Sequence, residues 1–171
     1  MKRLILFAAV FAIAMQLDAQ SASNPLSAAA KGFNARVEGF VLKSAEEMPE
    51  ENYAFKPTPD VRSFGQLVGH VADAQYEFCS LVAGDDTKGP DVEKTKKTKA
   101  ELIDALKTAF AYCDKAYDAM TDAHATEMVK LMGYSLPKLE VLNINTAHTD
   151  EHYGNMVTYL RMKGLTPPSS K

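Results

Sequence analysis

The sequence predicts an all-α protein, namely a four-helix bundle that follows a short N-terminal leader. Apolar residues recur at helical spacing in four separate segments, two capping boxes mark helix starts, and no segment alternates apolar and polar residues as a half-buried strand would. The 171 residues, 46% of them hydrophobic and 24% charged, suit one globular domain. A net charge of −3 argues against nucleic-acid binding, which usually needs a basic surface.

The N-terminal segment has the pattern of a secretory signal peptide. Lys2 and Arg3 precede an apolar run of 12 residues at positions 4–15, and a small residue follows for cleavage. The run is shorter than the ~20 residues that a membrane-spanning helix needs, and a retained anchor is the alternative. We therefore expect a signal peptide at residues 1–19 and a mature domain at residues 20–171. That domain would be exported to the periplasm or the medium and would be free of the membrane.

The first predicted helix begins at Asn24-Pro25, a capping residue followed by proline at the first helical position. Apolar residues follow at helical spacing until Pro49, which cannot continue the helix because it lacks a backbone N–H. Residues 49–62 contain further prolines, so this segment is predicted to be an extended connection.

Capping boxes begin the second and third predicted helices. Ser63 with Gln66 opens the second helix, and Thr98 with Glu101 opens the third; each pair satisfies free backbone N–H groups of the first turn. Residues 84–97 between these helices are polar and rich in lysine, which predicts a solvated connection. The apolar stripe of each helix indicates that one face packs on a shared core.

The fourth predicted helix follows a connection at residues 121–133. Ser135 is its expected cap, and Gly164 followed by Pro167 is its expected end. Four amphipathic segments of this kind predict an antiparallel-type four-helix bundle.

Three of the four histidines are candidate metal ligands. His148 and His152 lie four residues apart, so they share the apolar face of the fourth helix. Imidazoles on a buried face leave ring nitrogens without partners unless a metal ion, the backbone or water binds them. His70 lies on the flank of the second helix's apolar face, and bundles build metal sites from facing helices. His124 lies in a polar connection and is expected to be a solvated surface residue.

Three nitrogen ligands would leave one position of the ion open for water or substrate, as in catalytic rather than structural sites. Imidazole suits zinc, nickel, copper or iron better than calcium or magnesium, and the spacing does not choose among them; zinc or nickel is the ion we expect. Asp150 and Glu151 are the candidate catalytic groups, for proton handling or for orienting a ligand, and Asp73 and Glu77 are candidates for orienting imidazoles. The alternative is that these acids belong to solvated helix faces and that the histidines are core residues bonded to backbone or water.

These motifs resemble those of a known family, the DinB-like (DinB/YfiT) superfamily. The segment SFGQLVGH at residues 63–70 is similar to its second-helix signature, and HTDEHYGN at residues 148–155 is similar to its fourth-helix signature. The resemblance implies a bundle of up-down-down-up topology, with helices two and three parallel, and a divalent metal ion held by His70, His148 and His152. Family members of known activity include thiol-dependent S-transferases and a maleylpyruvate isomerase.

The residues and the resemblance leave different kinds of function open. The first is a metal-dependent hydrolase or transferase with a small-molecule substrate at the open metal position. The alternatives are a non-catalytic bundle that binds a metal ion or ligand, and a metal-free interaction bundle; a homodimer is compatible with each. Glu151 stands where family members often carry a further histidine. The low-molecular-weight thiols of the known transferases are cytosolic, so the resemblance does not extend to thiol chemistry in an exported chain.

Cys79 and Cys113 are expected to form a disulfide. They stand 16 residues after Ser63 and 15 residues after Thr98, so they lie at nearly the same height if their helices run parallel. Antiparallel helices would separate them by roughly 20 Å along the axis, which no disulfide can bridge. Export to an oxidising compartment favours pairing, and two separate buried thiols are the alternative.

Overall fold

The computed structural model describes residues 24–171, a mostly helical protein with one small sheet. Its helices are α1 (Pro25–Glu47), α2 (Phe64–Ala83), α3 (Val92–Thr95), α4 (Lys99–Ala119) and α5 (Lys138–Met162). The long helices α1, α2, α4 and α5 correspond to the four predicted helices. The predicted signal peptide at residues 1–19 lies outside the described residues. Across the described range, every helix is too short or too polar to span a membrane.

Both predicted capping boxes are present and begin α2 and α4. The Ser63 hydroxyl accepts from the Gln66 N–H at 3.2 Å, and the Gln66 side chain accepts from the Ser63 N–H at 2.9 Å. Thr98 and Glu101 form the same reciprocal pair at 3.3 and 3.0 Å. Each box satisfies two backbone donors that the first turn of a helix leaves free.

A β-hairpin interrupts the predicted all-α chain before α5. Strands β1 (Met128–Leu131) and β2 (Tyr134–Pro137) pair antiparallel, and Ser135 pairs with Lys130. The expectation of a connection over residues 121–133 and of Ser135 as the cap of the last helix was therefore wrong. Met132 and Gly133 both have positive φ, 50° and 87°, which is the backbone of a tight two-residue hairpin turn. Methionine rarely adopts this conformation, so the sequence carries only the glycine as a signal.

The connection between α2 and α4 is also more ordered than its composition predicts, because it contains the short helix α3. The Asp73 carboxylate of α2 accepts from the N–H groups of Val92 at 2.6 Å and Glu93 at 3.0 Å. These bonds supply the N-terminal cap of α3 from a residue about 20 positions earlier in the chain. Similarly, the connection before α2 contains a 3-10 turn at Glu50–Asn52.

The core lies between the four long helices and consists of two apolar clusters. The larger one surrounds the first half of α2 and includes Phe64, Val68, Leu106, Met156 and Leu160. The second surrounds the last half of α2 and includes Phe78, Val82, Tyr117, Met120 and Leu142. The hairpin closes this second cluster, since its Leu131 side chain is buried there.

A disulfide joins Cys79 of α2 to Cys113 of α4, as expected from the sequence. Both residues are buried in the second cluster, and their Cα atoms lie 5.2 Å apart. The first turns of the same two helices also lie together, because a Cβ atom placed on Gly65 would come within 3.3 Å of Leu102 Cδ1. The two helices are thus in contact at both of their ends.

Glu38 of α1 and Asp114 of α4 form a half-buried carboxyl pair, which leads to a pH-dependent prediction. Burial, the charge of Asp114 and a hydrogen bond between the two side chains raise the pKa of Glu38 to about 7. A raised pKa means that the folded protein binds the proton more tightly than the unfolded chain. The stabilisation is therefore complete below the unfolded pKa of 4.5 and is lost as the pH rises through about 7.

Glu38→Gln keeps a neutral side chain at every pH, so we expect it to raise the melting temperature above that of the wild type at pH 8. At pH 5, where the wild-type carboxyl is protonated, the two proteins should melt at the same temperature. Asp104→Asn removes an exposed acid of α4 and is the control. A difference in melting temperature that is equal at both pH values would contradict the raised pKa of Glu38.

Candidate metal centre

Two helices bring the three predicted histidines together. His70 lies on α2, and His148 and His152 lie one turn apart on the face of α5 that packs against α2. His152 is buried, and His70 and His148 are half-buried. The Phe78 ring packs edge-on against the His148 ring and closes one side of the cluster. His124, in contrast, lies at the surface, as the sequence indicated.

The three imidazoles point the same kind of nitrogen at one another. The Nε2 atom of His148 lies 3.2 Å from Nε2 of His70 and 3.1 Å from Nε2 of His152. A tetrahedral ion with bonds of about 2.0–2.1 Å to nitrogen sets two ligand nitrogens about 3.3 Å apart, so this spacing suits a shared ion. The three residues can therefore bind a metal ion.

Hydrogen bonding alone does not account for this cluster. A neutral imidazole has one N–H and one lone pair, so Nε2 of His148 cannot serve both neighbours with a single group. Its Nδ1 atom is buried and has no hydrogen-bond partner among residues 24–171. An ion among the Nε2 atoms would accept all three lone pairs and place the remaining protons on the Nδ1 atoms.

The electrostatics of the site keep the histidines in the neutral form that binds metals. Burial lowers the pKa of His148 to about 4, and the neighbouring His152 contributes to the shift. Burial also lowers the pKa values of His70 and His152, and the positive charge of Arg62 lowers both further. The lone pairs are therefore available at neutral pH.

Because the pKa values are lowered, protons should compete with the metal only at unusually low pH. An ordinary histidine protonates near pH 6.5, whereas the affinity of this site for zinc is expected to stay constant from pH 8 to about 6 and to fall below that. Calorimetric zinc titrations across this range are the measurement. A loss of affinity of about tenfold between pH 7 and pH 6 would contradict the neutral cluster.

Glu93 and Asn155 contact the outer nitrogens of two of the histidines. An oxygen of Glu93 lies 3.5 Å from Nδ1 of His70, and the amide nitrogen of Asn155 lies 3.3 Å from Nδ1 of His152. With a proton on Nδ1, as an ion at Nε2 requires, the Asn155 amide would turn its oxygen toward His152 to accept it. The other oxygen of Glu93 accepts from Nε of Arg62 at 3.0 Å. Such contacts orient the rings of metal-binding histidines.

Glu93 contacts an imidazole of the cluster, a role that was expected of Asp73 and Glu77. Asp73 was expected to orient an imidazole, but its carboxylate binds the backbone of α3 and so positions Glu93 instead. Glu77 is exposed and is not in contact with the histidines. The sequence signal for this contact is Gly69, since a glycine within a helix can mark a close approach of another backbone segment. A Cβ atom at Gly69 would lie 2.6 Å from Glu93 Cα and 2.8 Å from its nitrogen.

Gly69→Ala tests whether this close approach positions Glu93. Since backbone cannot give way as a flexible side chain does, the added methyl group should push α3 outward and destabilise the fold by about 1–3 kcal/mol. It should also weaken zinc binding, because Glu93 moves away from His70. Thermal unfolding and zinc titration are the measurements. Gly154→Ala on α5, where no atom lies within 4 Å of the new Cβ, is the control and should stabilise the helix by up to ~1 kcal/mol.

A cleft of about 610 Å³ opens beside the histidines, a size that suits a small molecule. The connection before α2, the first turn of α2, α3 and α5 form its walls. Charged and polar lining residues include Lys56, Asp60, Arg62, Glu93, Glu151 and His152. Of the two candidate catalytic acids, Glu151 lines this cleft, and Asp150 is exposed outside it.

Comparison with known proteins agrees with this architecture. The sequence model of the DinB superfamily matches residues 36–156, which include all three histidines. The uncharacterized protein YjoA of Bacillus subtilis (strain 168) is 22% identical over 125 residues, covering 71% of this chain and 80% of YjoA.

Solved structures share the same fold. A DinB-like protein from Bacillus cereus ATCC 10987 superposes with a TM-score of 0.68 at 19% identity, over 77% of this chain and 89% of that one. A mycothiol-dependent maleylpyruvate isomerase superposes with a TM-score of 0.65 at 14% identity, over 77% of this chain and 60% of the isomerase. This chain thus spans less than two thirds of the length of the isomerase.

Proposed function

Since the chain belongs to the DinB superfamily, we propose that it is a metal-dependent hydrolase or transferase that acts on a small molecule. His70, His148 and His152 would hold one divalent ion, zinc or nickel. The observation that supports this proposal best is the convergence of three Nε2 atoms beside an open cleft. A structural ion usually has four protein ligands, whereas three ligands and an open cleft are typical of a catalytic one.

The residues of the cleft can be given distinct tasks. The ion, when bound, supplies a Lewis acid with one position for a substrate atom. Glu151 lines the cleft and is the candidate for moving a proton to or from the substrate. Glu93 would hold the ring of His70 in the orientation that the ion requires, and Asn155 would do the same for His152 with its amide oxygen turned toward Nδ1.

We further propose that α2 and α4 run parallel in an up-down-down-up bundle and that the mature domain is exported. Two contacts support the parallel arrangement: Gly65 with Leu102 near the starts of the helices, and Cys79 with Cys113 near their ends. A buried disulfide is the kind of bond that persists in the periplasm or outside the cell, which supports export together with the signal-peptide pattern at residues 1–19.

Turnover of simple test substrates decides between catalysis and binding alone. The zinc-loaded mature protein should hydrolyse an activated ester or amide, or transfer a thiol to an electrophile, and a chelator should abolish the activity. Glu151→Gln should reduce the turnover rate, while Asp150→Asn, its exposed neighbour outside the cleft, should not. Activity that survives complete removal of the metal would overturn the proposal. Metal binding without turnover would favour the non-catalytic alternative, in which the ion links α2 to α5.

A further inference from the structure

We propose that the ligand of this metal centre is a small carboxylate-bearing molecule, and that the Arg62 side chain binds its carboxylate. The inference rests on the proposed function, since it assumes that an ion at the histidines holds another atom of the same ligand. It assigns a specificity-determining residue that neither the family match nor the histidine pattern identifies.

The guanidinium of Arg62 is only partly used by the protein. Its Nε donates to Glu93 at 3.0 Å, and this carboxylate is its only hydrogen-bond partner within the range that the structure describes. The two terminal nitrogens therefore keep their donors for a ligand. Arg62 lines the same cleft as His152, and its side chain is 41% exposed. The open edge of a guanidinium matches a carboxylate in a two-bond geometry.

The position of Arg62 is fixed before any ligand arrives. Its carbonyl accepts from the Tyr159 hydroxyl at 2.6 Å, and its neighbour Ser63 is held in the capping box of α2. Glu93, which holds the guanidinium, is itself fixed because α3 is tied to Asp73. Preorganisation of this kind reduces the entropy lost when a ligand binds.

Arg62 is also close to the metal ligands. Glu93 bridges the two, since one of its oxygens contacts Arg62 at 3.0 Å and the other contacts His70 at 3.5 Å. Arg62 and the metal ligand His152 also line the same cleft, so the inference requires a molecule of a few carbon atoms that binds the ion with one end and Arg62 with the other.

The charges of the cleft favour a carboxylate over a phosphate. Three acids line the cleft together with two cations, Lys56 and Arg62, and Glu93 already neutralises part of the Arg62 charge. A doubly charged phosphate would meet the repulsion of Asp60 and Glu151, whereas a single carboxylate fits the one open edge of Arg62.

The test uses cobalt(II)-loaded mature protein and two thiols that differ at one end. The thiolate binds the ion and gives a sulfur-to-cobalt absorption band, so binding is read without turnover. We expect 3-mercaptopropionate to bind about 10- to 100-fold more tightly than 2-mercaptoethanol, the range for a charge-assisted hydrogen bond. Arg62→Gln should remove this preference. Lys56→Gln, which removes a cation from the same cleft, should retain it.

Each outcome separates the inference from the proposed function. Equal affinities of the two thiols for the wild type, or a preference that survives in Arg62→Gln, would overturn the role of Arg62. Tighter binding of 2-mercaptoethyl phosphate would overturn the carboxylate class. In the double variant Arg62→Gln/Glu93→Gln the cleft has the same net charge as in the wild type. If this variant regained the preference for 3-mercaptopropionate, the preference would come from the charge of the cleft and not from a contact with Arg62, and the role of Arg62 would be overturned. Failure to bind cobalt at all would overturn the proposed function, and the inference with it.

Discussion

Replacement of His148 by alanine is expected to abolish stoichiometric metal binding. The Nε2 atom of His148 lies within 3.2 Å of both other ligand nitrogens, so its loss leaves two nitrogens that no longer surround an ion. The binding free energy of structural zinc sites with four ligands is about 10–16 kcal/mol, which is about 3 kcal/mol per ligand. Loss of the His148 ligand should therefore reduce the metal affinity about 100-fold. Metal content after dialysis, together with competition against a chelator of known affinity, measures this loss.

The wild type should retain about one divalent ion per chain under the same dialysis, as expected for one three-histidine site. His124→Ala is the matched control, because it removes an exposed imidazole and leaves the cluster intact. His70→Ala separates the three-ligand site from a simple pair on α5, and it too should lose the ion. Full occupancy in His148→Ala, or in His70→Ala, would refute the three-histidine site.

Removal of the disulfide is expected to destabilise the protein strongly. The bond joins residues 34 positions apart, and the chain-entropy model gives about 4 kcal/mol for a loop of that length. In a domain of this size, Cys79→Ala/Cys113→Ala should lower the melting temperature by roughly 10–15 °C. Calorimetric melting of the metal-free wild type and variant measures the difference without a contribution from the ion.

The disulfide of the folded protein should also resist reduction, because both cysteines are buried in the second apolar cluster. After incubation of the folded protein with dithiothreitol and removal of the reductant, thiol titration should find no free thiol; the same treatment of the unfolded protein should give two. Two free thiols in the oxidised, denatured protein would contradict the bond itself. An unchanged melting temperature in the double variant would show that packing, and not the covalent link, holds α2 against α4.

The parts of the fold that the sequence predicts are those governed by local periodicity and capping. The starts of α2 and α4 follow from Ser63 and Thr98, whose partners lie three residues away. The shared face of His148 and His152 follows from the helical repeat alone. His70 needed one further assumption, that α2 faces α5, and the bundle architecture supplied it.

The parts that the sequence analysis missed depend on contacts between distant positions. Helix α3 exists because Asp73 caps it from α2, and the hairpin turn places Met132 at a φ of 50°, which no local rule favours. Glu93 and Arg62 reach the metal centre from connections, where neither periodicity nor capping indicates the direction of a side chain. The sequence therefore predicts the three imidazoles of the site but not the contacts of Glu93 and Arg62.

The covalent link between α2 and α4 bears on how the protein would acquire the proposed ion. Of the three ligands, only His70 lies on α2, and α2 is fastened to α4 by the disulfide and to the core by its apolar face. His70 therefore lies opposite α5 without an ion, and we expect the folded protein to load and release an ion without unfolding. Occupancy would then follow the supply of metal around the folded protein, and not the conditions under which the chain was made.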